Sequence, residues 1–412
     1  MPGIVLLLSY LAFVSLGLPD TVLGVAWPSL QARFAITPSA LGALLASGVG
    51  GYFLSGLFAG EAVVRIGVGG VLTLSSGLVT LALAGYALAP SWALFFPLGG
   101  VLGLGSGAID AALNGYAARN FSVRHVNWLH GCWGIGATIG PASMTFVIAR
   151  GHGYRAGYAL LGAVLATMAL LFWFTRRRWN APPQAPEVSE AASRAQGDVD
   201  DTNASAPGAK PQSLWVALRD RRVLLQVLVF LLYTSVESTV GQWCFSWLRD
   251  RRGLSIEAAG SWTSAYWASL TLGRLVLGGI VGRVGPDRLL RSATLGAVIG
   301  VTLFASAASW LGYLGLILLG SSLAPMFPTL MARTPARVGD GLAHHAVGLQ
   351  VSAATLGSAL GPSAAGFFVA NQGLAAVGGV IVAVAAALLV SHELLLAVTP
   401  PWRSKPSREA SS

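Results

Sequence analysis

Residues 3–30 read GIVLLLSYLAFVSLGLPDTVLGVAWPSL, and this stretch decides the fold. A helix needs about 20 mainly apolar residues to cross the hydrocarbon core of a bilayer. Here a longer run carries a single charged residue, Asp20. It continues past Pro19 with no small-residue cleavage site, the pattern of a first transmembrane helix rather than a removable leader. Runs of the same kind follow at 38–60, 68–89, 92–118, 127–149 and 155–175, and after a polar break at 223–248, 257–281, 289–309, 311–332, 342–370 and 374–397. Backbone groups that face lipid must be satisfied within their own segment, which leaves helices or closed barrels. Short alternating strands are absent from the pattern. The expectation is an all-α membrane protein of twelve transmembrane helices.

Composition agrees with that reading. Charged residues make up 10% of the 412-residue chain and the mean hydropathy is +0.66, against roughly 25% charge in an ordinary soluble domain. So few charges cannot cover a water-facing surface. The net charge of +10 does not indicate nucleic acid, because the Arg residues lie between the apolar runs rather than along one amphipathic face. With both termini placed on the cytoplasmic side, 19 of the 26 Lys and Arg fall in cytoplasmic loops and tails and 6 in outer loops, as the positive-inside rule requires. Cys132 and Cys244 both lie in apolar runs, so neither a structural disulfide nor a metal site is expected. Paired His/Asp metal ligands, a serine nucleophile elbow and a phosphate-cradling Gly-Lys-Ser/Thr loop are all missing. No cofactor, enzymatic reaction or ATP-driven motor is expected from this chain.

Residues 176–222 separate two groups of six helices, and their Ala-, Pro-, Ser- and Asp-rich part cannot bury a core. The expected division is an N-terminal bundle over 1–175, a cytoplasmic linker over 176–222, a C-terminal bundle over 223–400 and a tail over 401–412. The halves also correspond in order. Asp20-x-x-x-Gly24 matches Glu237-x-x-x-Gly241 at an offset of 217. Gly60, Arg65 and Gly67 match Gly278, Arg283 and Gly285 at an offset of 218. Gly136-x-x-x-Gly140-Pro141 matches Gly357-x-x-x-Gly361-Pro362 at an offset of 221. Three collinear matches indicate a duplicated six-helix unit, the architecture in which secondary transporters build a midplane site between two bundles.

These residues resemble the major facilitator superfamily over essentially the whole chain. The family's loop after helix 2 reads G-x-x-x-D-R-x-G, and Val64 and Gly282 stand here where its acids would be. Gly60, Arg65, Gly67, Gly278, Arg283 and Gly285 are therefore the expected gating-loop residues, without the usual charge latch. Within the superfamily the chain is similar to the fucose-permease-like branch. That likeness rests on Gly17-Leu18-Pro19-Asp20 with Trp27-Pro28, on Gly103-x-Gly105-x-Gly107-x-x-Asp110-x-x-x-Asn114, on Asn127-x-x-His130, on Tyr233-x-x-x-Glu237-x-x-x-Gly241-x-Trp243, and on Pro325-x-Phe327-Pro328-Thr329. The resemblance implies a monomeric, multi-pass protein of the cell membrane that moves a sugar with protons.

Acids at the centre of a membrane helix are costly and rare, so Asp20, Asp110 and Glu237 are the expected proton-coupling groups, with interhelical packing as the competing role. Asn114, His130, Trp243, Gln242, Gln350 and Arg274 are candidate substrate contacts, each with a structural alternative. Trp27 and Trp262 fall near helix ends, where tryptophan anchors at the interface; Trp133 and Trp267 fall deeper. The glycines at 99, 103 and 107 and at 136 and 140 allow close packing and are candidate surfaces on which the bundles slide. Proton-coupled uptake of a small polar solute is the leading functional reading. Proton antiport exporting a drug or metabolite is the alternative, and a transport-inactive sensor remains open.

Overall fold

The computed structural model describes residues 2–179, 213–277, 284–306 and 309–400. Among them, ten helices are long and apolar enough to cross a membrane. One of these, Ala40–Leu88, contains Gly67 at φ 74°, ψ 164°. Only glycine adopts that conformation without strain, and 49 residues of straight helix would span about 73 Å. The neighbours on residues 92–120 settle the geometry. Gly99, Gly103 and Gly107 meet Leu44, Gly48 and Tyr52 in ascending order, whereas Leu98 and Gly105 meet Gly85 and then Ser75–Val79 in descending order. The two segments are antiparallel, and the chain reverses at Gly67.

Ile256–Leu277, 22 residues long, completes a set of twelve membrane-length helices among the described residues. They are α1 Gly3–Phe34, α2 40–66, α3 68–88, α4 Trp92–Asn120, α5 Val123–Ala149, α6 Gly153–Arg178, α7 Arg221–Arg251, α8 Ile256–Leu277, α9 Pro286–Ala305, α10 Trp310–Val338, α11 Asp340–Gln372 and α12 Ala376–Val398. The outer surface is apolar: Leu57, Phe58, Val64, Leu74 and Phe174 are each more than 60% exposed, as lipid-facing side chains must be.

Several boundaries differ from the hydropathy runs. Helix α10 continues past 332 to Val338 although it passes through Arg333 and Arg337. Both guanidiniums are buried against Asp287 at the start of α9, at 2.9 Å and 3.2 Å, and a paired charge does not need to leave the helix. Before α7, Leu214–Ala217 forms one helical turn. Ala217 packs with Val223, Val338, Leu342 and Ala346, so this part of the expected linker is structured. Residues 180–212 and 401–412 lie outside the described residues.

The duplication is visible in the packing. Gly136 meets Val14 O and Gly140 meets Leu18 O where α5 crosses α1; Gly357 meets Leu231 O and Gly361 meets Ser235 O where α11 crosses α7. Val14 to Leu231 and Leu18 to Ser235 are both offsets of 217, so one crossing is a copy of the other. Gly67 and Gly285 correspond too, with φ of 74° and 87°. These crossings, like those of Gly99, Gly103 and Gly107, lie within one half. The glycines expected to form sliding surfaces are thus packing residues inside the N-terminal bundle.

Contacts between the halves use different glycines. Gly24 of α1 faces the backbone of Gly241 and Gln242 on α7, Gly42 of α2 faces Ser363 on α11, Gly366 of α11 faces Pro38, and Gly260 of α8 faces Thr145 of α5. Gly134 and Gly131 of α5 face Thr271 and Leu275 of α8 nearer the termini, whereas those four contacts lie at the end of the molecule opposite the chain termini. Trp27, expected at an interface, is instead fully buried there, edge-on to Trp92 at 6.3 Å.

A testable contrast follows from the two kinds of glycine. Gly136→Leu would push into Val14 O inside one bundle; overpacking of this kind costs about 1–3 kcal/mol or more, and the yield of monodisperse protein is expected to collapse. Gly24→Val, whose Cβ would lie 2.6 Å from Gln242 O, is expected to fold but to hold α1 and α7 apart. In a C132S/C244S background, thiol labelling of Ser363→Cys should then rise in the G24V protein and stay low without it.

Candidate functional site

Two cavities lie between the halves. The larger, about 1150 Å³, opens toward the end carrying the termini and is lined by Phe13, Arg124, His130, Arg274 and Phe327 among others. The smaller, about 410 Å³, lies toward the opposite end and is lined by Asp20, Tyr52, Ser106, Gln242 and Trp267 among others. Asp110, Trp133, Thr234 and Glu237 belong to both. The junction of the cavities is therefore made by α4 and α5 from one half and α7 from the other.

Asp20 reaches the smaller cavity because α1 is interrupted. The helix breaks between Asp20 and Leu23, just after Pro19, which has no N–H to bond the preceding turn. Gly17, one turn earlier, lets the α5 backbone approach at Trp133. The Trp133 indole then donates Nε1–H to Asp20 Oδ2 at 3.0 Å, while the carboxylate stays open on the cavity.

Asp110 is held from two sides. Tyr52 of α2 donates its hydroxyl to Oδ2 at 2.7 Å, and Asn114 donates Nδ2–H to Oδ1 at 2.9 Å. The Asn114 contact is the (i, i+4) pairing expected on one helix face; Asn114 orients Asp110 and lines neither cavity. Gly107, three residues before Asp110, faces Tyr52 O and so admits the helix that carries the tyrosine.

Glu237 forms the third constellation. Tyr233, one turn earlier on α7, donates its hydroxyl to Glu237 Oε2. Arg274 of α8 places Nη2 3.5 Å from the same oxygen and 3.4 Å from Tyr233 Oη. Tyr266 donates to the Glu237 carbonyl at 2.9 Å, which ties α8 to α7. The Arg274 guanidinium carbon also lies 5.6 Å from the Trp133 ring centroid, within cation–π range. Trp133 meets Trp267 edge to face at 6.2 Å. Trp133 therefore touches Asp20, Arg274 and Trp267 at once.

The remaining expected residues divide into two groups. His130 lines the larger cavity with its ring edge-on to Phe13 at 5.4 Å, and Gln242 lines the smaller one. Trp243 and Gln350 reach neither cavity. The Trp243 indole is buried and donates to Pro362 O at 3.1 Å, and Gln350 is fully buried with Gln226 and Thr334 at 3.0–3.1 Å. Both hold α11 to its neighbours. In the loops, Arg65 pairs with Glu61 of its own helix at 2.9 Å, and Gly285 begins α9; Gly278 and Arg283 lie outside the described residues. The second half has its acid at Asp287 instead, bound to Arg333 and Arg337. Sequence reasoning passed over Tyr52 and Thr234. Tyr52 lies on another helix and leaves no trace in spacing, whereas Thr234 directly follows Tyr233.

Comparison with known proteins places these features in a wider group. The model of a family described as Major Facilitator Superfamily matches residues 9–362, and again 259–411. A curated relative from Saccharomyces cerevisiae, Bypass of stop codon protein 6, is 23% identical over 280 residues, or 66% of this chain and 56% of the relative. The match thus spans little more than half of that relative's length. Among solved structures, a D-xylose-proton symporter is similar at TM-score 0.74 and 15% identity, covering 96% of this chain and 97% of its own. Nucleoside transporter NupG is similar at TM-score 0.70 and 16% identity, with 95% and 97% covered. A bacterial homolog of the human lysosomal transporter Spinster is similar at TM-score 0.70 and 14% identity, with 96% of each covered. At such identities these structures bear on the fold alone.

The pairing of Glu237 with Arg274 predicts strong coupling. Removing one partner of a buried ion pair costs about 3–5 kcal/mol, so E237Q and R274Q should each lower the thermal midpoint in detergent. The double substitution E237Q/R274Q should cost markedly less than the two single losses added together.

Proposed function

This chain is a multi-pass membrane protein that belongs to the Major Facilitator Superfamily, and from that premise we propose that it is a secondary transporter taking up a small polar solute, a sugar or sugar-like compound, together with protons. The observation that carries the proposal is the junction of Asp110, Trp133, Thr234 and Glu237, which borders the cavities facing both ends of the molecule. A solute bound there meets groups from both bundles, 1–175 and 223–400. Rocking of one bundle against the other then exposes it to one side at a time. The contacts of Gly24, Gly42, Gly260 and Gly366 between the halves, closed at the end opposite the termini, are the seam that opens in the alternate state.

Asp20 is the coupling acid in this reading. It has the Trp133 indole as its hydrogen-bond donor and otherwise opens on the smaller cavity, where a proton can reach it once the seam at that end opens. Asp110 and Glu237 are engaged by neighbouring side chains and serve the solute. A ligand and a proton are coupled when each changes the balance between the two states in favour of the other. The likeness of the sequence to the fucose-permease-like branch supports sugars as the solute class. The protein acts as a monomer in the cell membrane with both termini cytoplasmic.

The larger cavity supports a second reading. Its volume of about 1150 Å³ and its Phe13, Trp128, Phe327 and Met331 lining would also take a flat amphipathic compound for proton-driven export.

Proteoliposomes separate the steps. Asp20→Asn is expected to abolish solute accumulation driven by a pH gradient while leaving solute counterflow within a few-fold of the parent protein. Unchanged pH-driven accumulation in D20N would rule out Asp20 as the coupling group. Counterflow of amphipathic cations with none of sugars would favour the exporter.

A further inference from the structure

Arg274 offers more hydrogen-bonding capacity than its protein neighbours use. A guanidinium has five N–H donors in a planar fork. Among the described contacts, Nη2 alone serves Glu237 and Tyr233, at 3.5 Å and 3.4 Å, and Nε is buried with no protein acceptor. About 22% of the side chain remains open, and it opens on the larger cavity. The acids beside it are already engaged: both oxygens of Asp110 take donors from Tyr52 and Asn114, and Glu237 takes the Tyr233 hydroxyl. Arg333, on the same cavity, is committed to Asp287.

The smaller cavity has a different character. Ser106, Gln242 and Trp267 line it, and their buried Oγ, Oε1 and Nε1 atoms have no hydrogen-bond partner among the described residues. They are neutral and mix donors with acceptors, which suits hydroxyl groups. Trp133 stands between the two sets, beside both Arg274 and Trp267, and borders both cavities.

A cationic fork on one side, neutral hydroxyl partners on the other and an aromatic face between them describe a ligand with two chemically distinct ends. We propose that the transported solute is a sugar acid, a polyhydroxylated compound whose carboxylate is bound by Arg274 while its hydroxyls meet Ser106, Gln242 and Trp267. This rests on the uptake reading above and narrows its solute class. A neutral hydroxyl would leave the guanidinium with Glu237, at 3.5 Å from Nη2, as its one described counter-charge. A carboxylate supplies the bidentate partner for which the fork is shaped, and it adds the negative charge that the second face of Arg274 lacks.

The test uses purified protein, with thermal stabilisation for binding and proteoliposome counterflow for transport. The probes are matched pairs: glucuronate with glucose, galacturonate with galactose, and gluconate with sorbitol. At least one acid is expected to bind about tenfold or more tightly than its neutral counterpart, equivalent to about 1.4 kcal/mol. R274K keeps the charge but loses the fork, and should weaken that acid by about tenfold. E237Q/R274Q keeps the junction neutral, and should bind acid and neutral members alike. Equal binding of a neutral sugar and its acid, unaffected by R274K, overturns the anionic assignment and leaves sugar uptake standing. No response to any of the six probes overturns both.

Discussion

Where α5 crosses α1, and where α11 crosses α7, the backbones touch, and the positions of the site residues depend on those two crossings. In lipid there is no water to expel between helices, so association rests on close packing and on satisfied polar groups. Glycine is the residue that lets packing reach the backbone itself. Gly17 and Gly136 bring Trp133 to Asp20 in the first half, and Gly357 and Gly361 seat α11 against the helix that carries Glu237 in the second. A side chain at any of these positions would move a site residue by the width of a methyl group or more.

Charge in the interior is handled by local pairing. Each membrane acid has a partner within one helical turn or on the adjacent helix: Asn114 and Tyr52 for Asp110, Tyr233 and Arg274 for Glu237, Trp133 for Asp20. The same economy explains why α10 can carry Arg333 and Arg337 through to Val338, since Asp287 at the start of α9 receives both. The pairings differ in completeness. Both oxygens of Asp110 already have donors, whereas Asp20 and the guanidinium of Arg274 keep hydrogen-bonding capacity to spare on the cavities that these groups border.

The two classes of glycine contact also separate what is rigid from what moves. Crossings inside a half repeat at a constant offset, from Val14 to Leu231 and from Leu18 to Ser235. Of the glycine contacts between the halves, those at Gly24, Gly42, Gly260 and Gly366 lie at one end of the molecule, and those of Gly131 and Gly134 with α8 lie nearer the other. A bundle with strong internal crossings and a seam at one end is suited to rocking as a body.

Twelve helices, their order, the duplication and the three membrane acids could all be read from the sequence, because hydrocarbon thickness sets a length and charge is too costly there to be placed casually. The reversal at Gly67 and the likeness of Gly285 to it were legible for the same reason: glycine marks a backbone conformation that other residues avoid. Which side chains share a cavity was not legible. Asn114, Trp243 and Gln350 have the right chemistry for a solute site, yet Asn114 serves Asp110, Trp243 serves the Pro362 carbonyl and Gln350 serves Gln226 and Thr334. Tyr52 and Arg274 join the junction from α2 and α8, far from their partners along the chain. Periodicity along one helix tells which face a residue occupies; only the packing of twelve helices decides what that face meets.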